Sequence, residues 1–421
     1  MISKSKIPPR AKDSDWRDSK NITTDKLLFY TFVAAFFGMP LGTTPPIIFG
    51  SLAALIWIFS GKAVQLKHIC KNTWCWPILF LMILPWIGFL YTPDPAGMGI
   101  GYAAKTHYWV YCLVIASIPF EIYLPHRFIH GFLAGLAVNA FVGGLQLMGV
   151  LLPKGQGWYS GLGRGYSTLS AYLVLGILTV SFCFRNSEKK KTRFYLALLM
   201  AFYFFHLVIL NGRTGYLTFL LLSPLMVRNI FNQFNLLKIL MICVLLVGMM
   251  FLSPIVRNRV ALSVDQLNYH LNADSDSAWG REYTEHQDRF YMWHGAVHIF
   301  LDHPFVGVGT GGYQTVLRDR GKPEYPLMAH PHNDLLYMAV SYGIIGIFAF
   351  FWLFLEIIKN AREQRHTLPG NFVLSAAYVI LVSGLFNAQI LDARMAFLLA
   401  VSAGLQQGFP KFSKSWMSKM I

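Results

Sequence analysis

The sequence predicts an all-α, polytopic integral membrane protein of about twelve transmembrane helices, with one long outer loop containing short helices. Two observations carry that prediction. Hydrophobic residues make up 55% of the 421-residue chain and charged residues 13%, and the mean hydropathy is +0.45; a soluble domain carries about 25% charge. Apolar runs of roughly 16 to 25 residues also recur along the whole chain, each able to cross about 30 Å of hydrocarbon as a helix.

The opening MISKSKIPPRAKDSDWRDSK is basic but too long and too acidic for the leading region of a cleavable signal. Residues 1–26 are therefore expected to be a cytoplasmic tail. Spans are expected at 27–41, 44–60, 76–91, 107–124, 129–152, 167–184, 194–210, 212–228, 236–253, 333–357, 371–387 and 391–408. LGTTPP separates the first two, and only Asn211, Gly212 and Arg213 interrupt the run from 194 to 228. The chain thus divides into helices over 27–253, an outer loop over 254–332, helices over 333–408 and a second cytoplasmic tail over 409–421.

A net charge of +16 raises the question of nucleic acid, but the basic residues sit between apolar segments and form no stripe interleaved with aromatics. Topology accounts for them better. With the N-terminus inside, about 24 of the 36 Lys and Arg residues fall on the cytoplasmic side, including Arg185, Lys189, Lys190, Lys191 and Arg193. Moving the count by one helix puts that run outside, so an even number of spans is favoured, and residues 254–332 face outward. Loops of that length are usually functional. Within it, DRFYMWHGAVHIFLDHP spaces Phe290, Trp293, Val297 and Phe300 as the apolar stripe of an amphipathic helix.

The five cysteines suggest neither a disulfide framework nor, for Cys70 and Cys75, a metal site with enough partners. Asp274 and Asp276 in DSD resemble the Asp-x-Asp of nucleotide-sugar transferases, but nucleotide sugars are cytoplasmic, and Asp-Ser clusters suit solvated turns. GVGTGG at 307–312 lacks the Lys-Ser/Thr ending of a phosphate loop and reads as a hinge or tight turn. His294 and His298 share a helical face without a His-Glu-x-x-His motif, and no metal is expected.

Three arginines stand near the outer ends of spans or in the outer loop: Arg164 in GLGRGYSTLSAY, Arg213 in LNGRTGYLTF and Arg289 in DRFYMW. Any one of them can snorkel to headgroups or cap a helix. Three at one depth suggest a clamp, because a guanidinium stays charged and its forked donors match phosphate oxygens. In AHPHNDLLYMAVSYGIIGIF, His330 and His332 enter the tenth span from outside, where a histidine exchanges protons near neutral pH. The alternative is a helix entry capped by Asn333 or Asp334.

His332 and Asn333, nine intervening residues, then Gly343-Ile344-Ile345-Gly346 resemble the signature of the O-antigen ligase family. That superfamily also holds O-antigen polymerases and protein O-oligosaccharyltransferases. Arg213-Thr214 opening a mid-chain span, Arg289 before the loop helix, and PFVGVGTGGY at 304–313 resemble further family elements in the same order. The resemblance implies a bacterial inner-membrane enzyme with its site facing the periplasm. It would act as a metal-independent, inverting glycosyltransferase without cofactor, moving a glycan from undecaprenyl pyrophosphate to lipid A-core. The absence of a larger region after residue 408 favours a ligase over a protein oligosaccharyltransferase. Arg213 and Arg289 are expected to hold the pyrophosphate and His332 to act as general base or to orient the acceptor. Arg164, His330 and Asn333 are expected as further substrate contacts. The partners implied are the lipid-linked donor, lipid A-core and membrane lipids, not nucleic acid.

The basic asymmetry predicts that a reporter fused near residue 190 is cytoplasmic and one near residue 275 periplasmic. Finding both on one side would overturn the arrangement.

Overall fold

A computed structural model describes residues 15–120, 125–153, 159–163, 165–231, 236–272, 289–320 and 328–409, and all regular structure among them is helical. Each expected apolar run carries a helix. In chain order these are α1 (Asp15–Gly38), α2 (Thr44–Phe59), α3 (Cys75–Phe89), α4 (His107–Ala116), α5 (His126–Leu147), α6 (Tyr166–Asn186), α7 (Lys190–Ile209), α8 (Arg213–Ile230) and α9 (Leu236–Phe251). Residues 254–332, expected as the outer loop, add α10 (Pro254–Asn272), α11 (Arg289–Asp302) and α12 (Tyr313–Arg320), and the chain continues with α13 (Asp334–Glu363), α14 (Leu368–Gly384) and α15 (Ala393–Leu405).

By length and composition four helices can cross a membrane: α5, α6, α7 and α13. The number is up to six if each of two sharply bent helix pairs is counted as one span. One pair is Thr44–Phe59 with Lys62–Ile69, the other Ile239–Phe251 with Pro254–Asp265, bent by 98°. Two expectations shift. Helix α1 begins at Asp15, inside the stretch expected to be tail, and α4 stops at Ala116, well short of residue 124.

Helix α6 is the hub. Inside its apolar window 83% is buried in the protein, against 22% for α7 beside it, so α7 presents its apolar surface outward as a lipid-facing helix would. Helices α7, α8 and α14 pack around α6. Gly215 makes the α6–α8 crossing possible, because a Cβ there would lie 2.2 Å from that of Ser170. Small residues of this kind let helix backbones approach in a membrane, where apolar side chains gain little by leaving lipid.

The loop helix α11 exists, but its buried stripe differs from the expected one. Met292, Ala296 and Ile299 are buried with Val308, Tyr313, Leu317 and Val340, whereas Val297 is 42% exposed. Trp293 and Phe300 are half-buried, and the side chain of Phe290 lies outside the described residues. Size decides the face. Gly295 brings Leu317 of α12 so near that an added Cβ would meet its Cδ1 at 2.6 Å, and Ala296 offers little bulk beside it. The bulky aromatics on the neighbouring face do not permit that approach.

The most consequential feature is a break inside α13 at Gly343 (φ 63°, ψ −147°). The break separates Ile344 from Val340, its partner in a continuous helix. Ile344 N–H donates instead to Pro304 O (2.8 Å), and Val340 O accepts from Val308 N–H (2.8 Å). Ser341 O is taken by Gly309 N–H (3.0 Å). The glycine segment 304–313 thus satisfies what the kink releases, as buried backbone groups require. Its other side is tied to α3: Thr310 N–H donates to Gly88 O (3.1 Å) and Thr310 Oγ1 to Pro85 O (2.6 Å).

Gly343→Ala therefore places a Cβ 2.3 Å from the Phe305 carbonyl in a backbone region restricted to glycine. We expect a loss of about 3 kcal/mol. That corresponds to an apparent Tm in detergent lower by roughly 5 °C. A Gly343→Ala protein as heat-stable as wild type would refute the constraint.

Candidate active site

Several helix ends meet around His332. The break before α8 exposes Arg213 at the helix's first residue, and its Nη1 donates to Ser263 Oγ of α10 (3.2 Å). Ser263 Oγ in turn donates to Arg259 O (2.9 Å), and Arg259 Nε donates to Asn211 Oδ1. Helix α10 reaches this position because the chain turns sharply after α9. Arg289 opens α11, half-buried, close enough to Arg213 and Tyr166 for both to act on its charge. Burial and the Arg213 guanidinium push Arg289 down to about 10, which leaves it a cation at neutral pH. Arg213 and Arg289 are thus brought together as expected, whereas Arg164 lies outside the described residues.

His332 has φ 49°, and no other non-glycine among the described residues has a positive φ. Such a conformation persists only where the surroundings over-determine it, and it is enriched at functional sites. Here the surroundings are specific. Asn333 Oδ1 caps α13 by accepting from Leu336 N–H (3.0 Å), and its Nδ2 donates to Leu385 O (3.0 Å), so both ends of that amide are engaged by backbone. Asp334, 0% exposed, accepts Ile390 N–H on Oδ1 (2.9 Å) and fixes the turn after α14 against the start of α13. That turn carries Asn387.

The Nδ1 of His332 lies 3.0 Å from Asn387 Oδ1. A carbonyl oxygen cannot donate, so Nδ1 holds the proton and Nε2 keeps its lone pair. Two residues earlier, His330 brings its ring beside that of His332, with ring centroids 4.3 Å apart and His330 Nδ1 accepting from His332 N–H (3.3 Å). The left-handed backbone at His332 itself overcomes the separation that a regular helix would impose. Burial lowers both imidazoles. For His332 the Asn387 bond opposes this and the Arg289 charge adds to it; His330, beside His332 and Lys105, falls to about 3. Both rings are neutral at pH 7.

Sequence reasoning missed the other groups. Lys105, in the connection before α4, donates Nζ to Leu391 O (2.6 Å) and lies over the Tyr102 ring at 4.9 Å. Asp392 caps α15 by accepting from Arg394 and Met395 N–H, and its Oδ2 accepts from Thr168 Oγ1 (2.9 Å). Arg394 is buried and donates Nη2 to Gly165 O (3.2 Å), beside the position of Arg164. The sequence signal for Asp392 and Arg394 is the polar cluster FNAQILDAR between two apolar runs; Lys105 has none of that kind. On α11 the Nε2 atoms of His294 and His298 lie 3.0 Å apart, and no group of three or more metal-ligating side chains occurs among the described residues.

The site combines a neutral, oriented imidazole with a pair of guanidiniums. Such a set can take a proton from a hydroxyl while stabilising a departing anion. Comparisons with known proteins point the same way. Over an 85-residue stretch the chain is 26% identical to a candidate polysaccharide ligase of Rickettsia conorii, covering 18% of this chain and 21% of that protein. A second, from Rickettsia prowazekii, is 28% identical over 91 residues, covering 20% and 22%. The matches span about a fifth of each relative. Residues 196–351 match the profile of the family described as O-Antigen ligase, a stretch that contains Arg213, Arg289, His330 and His332. Over residues 196–351 this chain is thus similar to the O-antigen ligase family.

Proposed function

We propose that the protein is an O-antigen ligase, joining a glycan carried on undecaprenyl pyrophosphate to lipid A-core at the periplasmic face of the inner membrane. The observation that carries this reading is His332, held at positive φ with its Nε2 lone pair free and a guanidinium acting on it. The family match and the polysaccharide-ligase description of the two relatives support the substrate class.

The donor is already activated, so the protein must orient two substrates, accept one proton and stabilise one leaving group. His332 Nε2 takes the proton of the acceptor hydroxyl as its oxygen forms a bond to the anomeric carbon. On the opposite face the carbon–phosphate oxygen bond breaks, giving inversion. The electron pair leaves on the pyrophosphate, where Arg213 and Arg289 offer charged, forked donors that strengthen as charge develops. Proton loss from His332 to water resets the site. Every step is met by side chains of this chain.

His332→Ala is expected to bind the lipid pyrophosphate like wild type and to transfer glycan roughly 100-fold more slowly, the usual scale of general-base loss. Arg213→Lys should fail nearly as badly as Arg213→Ala, because lysine keeps the charge and loses the fork. Donor binding and single-turnover transfer on purified variants, with EDTA present, measure both. A near-wild-type rate in His332→Ala, or loss of wild-type transfer to EDTA alone, overturns the mechanism. In cells lacking the gene, core bearing a single repeat unit, rather than core without long chains alongside accumulated lipid-linked polymer, would instead make the protein a polymerase.

The rate should also fall on the acid side as His332 protonates, with a midpoint below the usual 6.5 because burial lowers it. Arg289→Ala removes a like charge and should move that limb to higher pH. Asn387→Leu removes a bond that favours the imidazolium and should move it lower, while the rate drops because the tautomer is no longer held. Shifts of the opposite sign in the pH–rate profile would dissociate His332 from both neighbours.

A further inference from the structure

The mechanism above leaves unused the two histidines on the exposed face of α11. His294 and His298 stand four residues apart on this 14-residue helix, so one turn places them on the same face. Their ring centroids are 4.3 Å apart. Both rings bring the same nitrogen to one point: the two Nε2 atoms lie 3.0 Å apart.

That separation matches a chelate. Two imidazole nitrogens bound to one metal ion at about 2.0–2.1 Å are about 2.9 Å apart at a right angle and about 3.3 Å apart at the tetrahedral angle. The observed 3.0 Å suits neighbouring right-angled positions, the geometry that Cu2+ and Ni2+ adopt with nitrogen ligands, and is close to the tetrahedral spacing of Zn2+. Without a metal, one ring donates Nε2–H to the other; on binding, that ring carries its proton on Nδ1 and both lone pairs face the ion. Because the rings already converge, binding has little left to order. The lack of a His-Glu-x-x-His motif excludes metalloprotease chemistry at this pair, not metal binding.

The chelate brackets the turn of α11 that its own sequence supports least. Between the histidines stand Gly295, Ala296 and Val297, and glycine and β-branched valine are both poorer helix formers than alanine. Gly295 is required there, since an added Cβ would meet Leu317 Cδ1 at 2.6 Å. Packing against α12 thus weakens the helix at the turn that the histidine pair spans. Arg289, the first residue of α11, lies five residues before His294, about 7.5 Å back along the axis.

We propose that His294 and His298 form a site for a divalent transition-metal ion, Ni2+, Cu2+ or Zn2+ in preference to Mg2+ or Ca2+, which clips the 294–298 turn and stabilises the start of α11. Imidazole nitrogen selects these ions over the hard cations that favour oxygen ligands. The ion steadies the helix that carries Arg289 and takes no part in proton transfer or leaving-group departure.

The test titrates the full-length protein in detergent, its affinity tag removed, with NiCl2 by calorimetry, and follows hydrogen exchange of the amides of residues 289–302. Wild type should bind one Ni2+ at this site. His294→Gln and His298→Gln should each weaken that binding about 100-fold, the loss of a second ligand held on the same element. Both variants should exchange like wild type without metal, which shows that they fold. At ten times the Kd, Ni2+ should slow exchange within 289–302 roughly tenfold in wild type and not in either variant, because the ion binds the closed turn rather than the open one. Mg2+ should do neither. Equal Ni2+ affinity of wild type and both variants overturns the site. So does a loss of affinity in His332→Ala instead, which would move the ion to the other histidine pair. Binding that leaves exchange within 289–302 unchanged overturns the clip.

Discussion

The broken helix at Gly343 is the constraint on which the site depends. An α-helix buried among other helices satisfies its own backbone, and interrupting it exposes donors and acceptors that lipid cannot satisfy. Here the released groups of Val340, Ser341 and Ile344 are taken up by residues 304–309. The glycines of that segment follow from the same requirement. Gly307 and Gly309 have positive φ, and a Cβ on Gly307 would lie 2.3 Å from Val340 O. A segment that reads from sequence as a hinge is therefore a structural insert, bonded to α13 on one side and α3 on the other. It fixes the outer half of α13, and with it the strained turn at His332.

A second constraint works at the helix entry. Asp334 is fully buried and bonds the turn at Ile390, while Asn333 caps the helix and holds Leu385. These bonds bring Asn387 to the imidazole across 55 residues of sequence. The strain at His332 is balanced by this redundancy, since three consecutive residues are each held by the same turn. The His-Asn dipeptide consequently combines two tasks. In the proposed reaction one residue presents the proton-accepting nitrogen, and the next builds the scaffold that orients it.

The all-helical character, the positions of the apolar runs and the candidates Arg213, Arg289, His330 and His332 were legible because each rests on local sequence: hydropathy, spacing, or a charge beside an apolar run. Lys105, Asn387, Asp392 and Arg394 were not. They lie on connections that read as ordinary polar turns, and their importance arises from contacts between segments up to 286 residues apart. The face of α11 was misread for a related reason. Periodicity located a helix, but Gly295 and Ala296 chose its buried side through close approach, whereas a stripe count favours large residues. Asn333, expected as a substrate contact with helix capping as the alternative, has both ends of its amide engaged by backbone, Oδ1 as the helix cap and Nδ2 on Leu385 O.

Electrostatics joins these parts into one argument about chemistry. Placing several cations beside a buried imidazole lowers its basicity, which at first sight weakens a general base. The benefit lies in the protonation state: near neutral pH the ring is unprotonated and ready to accept, and the imidazolium formed during transfer is destabilised enough to release its proton quickly. In the proposed reaction the Arg289 charge that lowers His332 would also attract an anionic donor. Once a pyrophosphate occupies Arg213 and Arg289, its negative charge offsets theirs and the imidazole regains basicity. On this reading donor binding itself readies His332 for the acceptor.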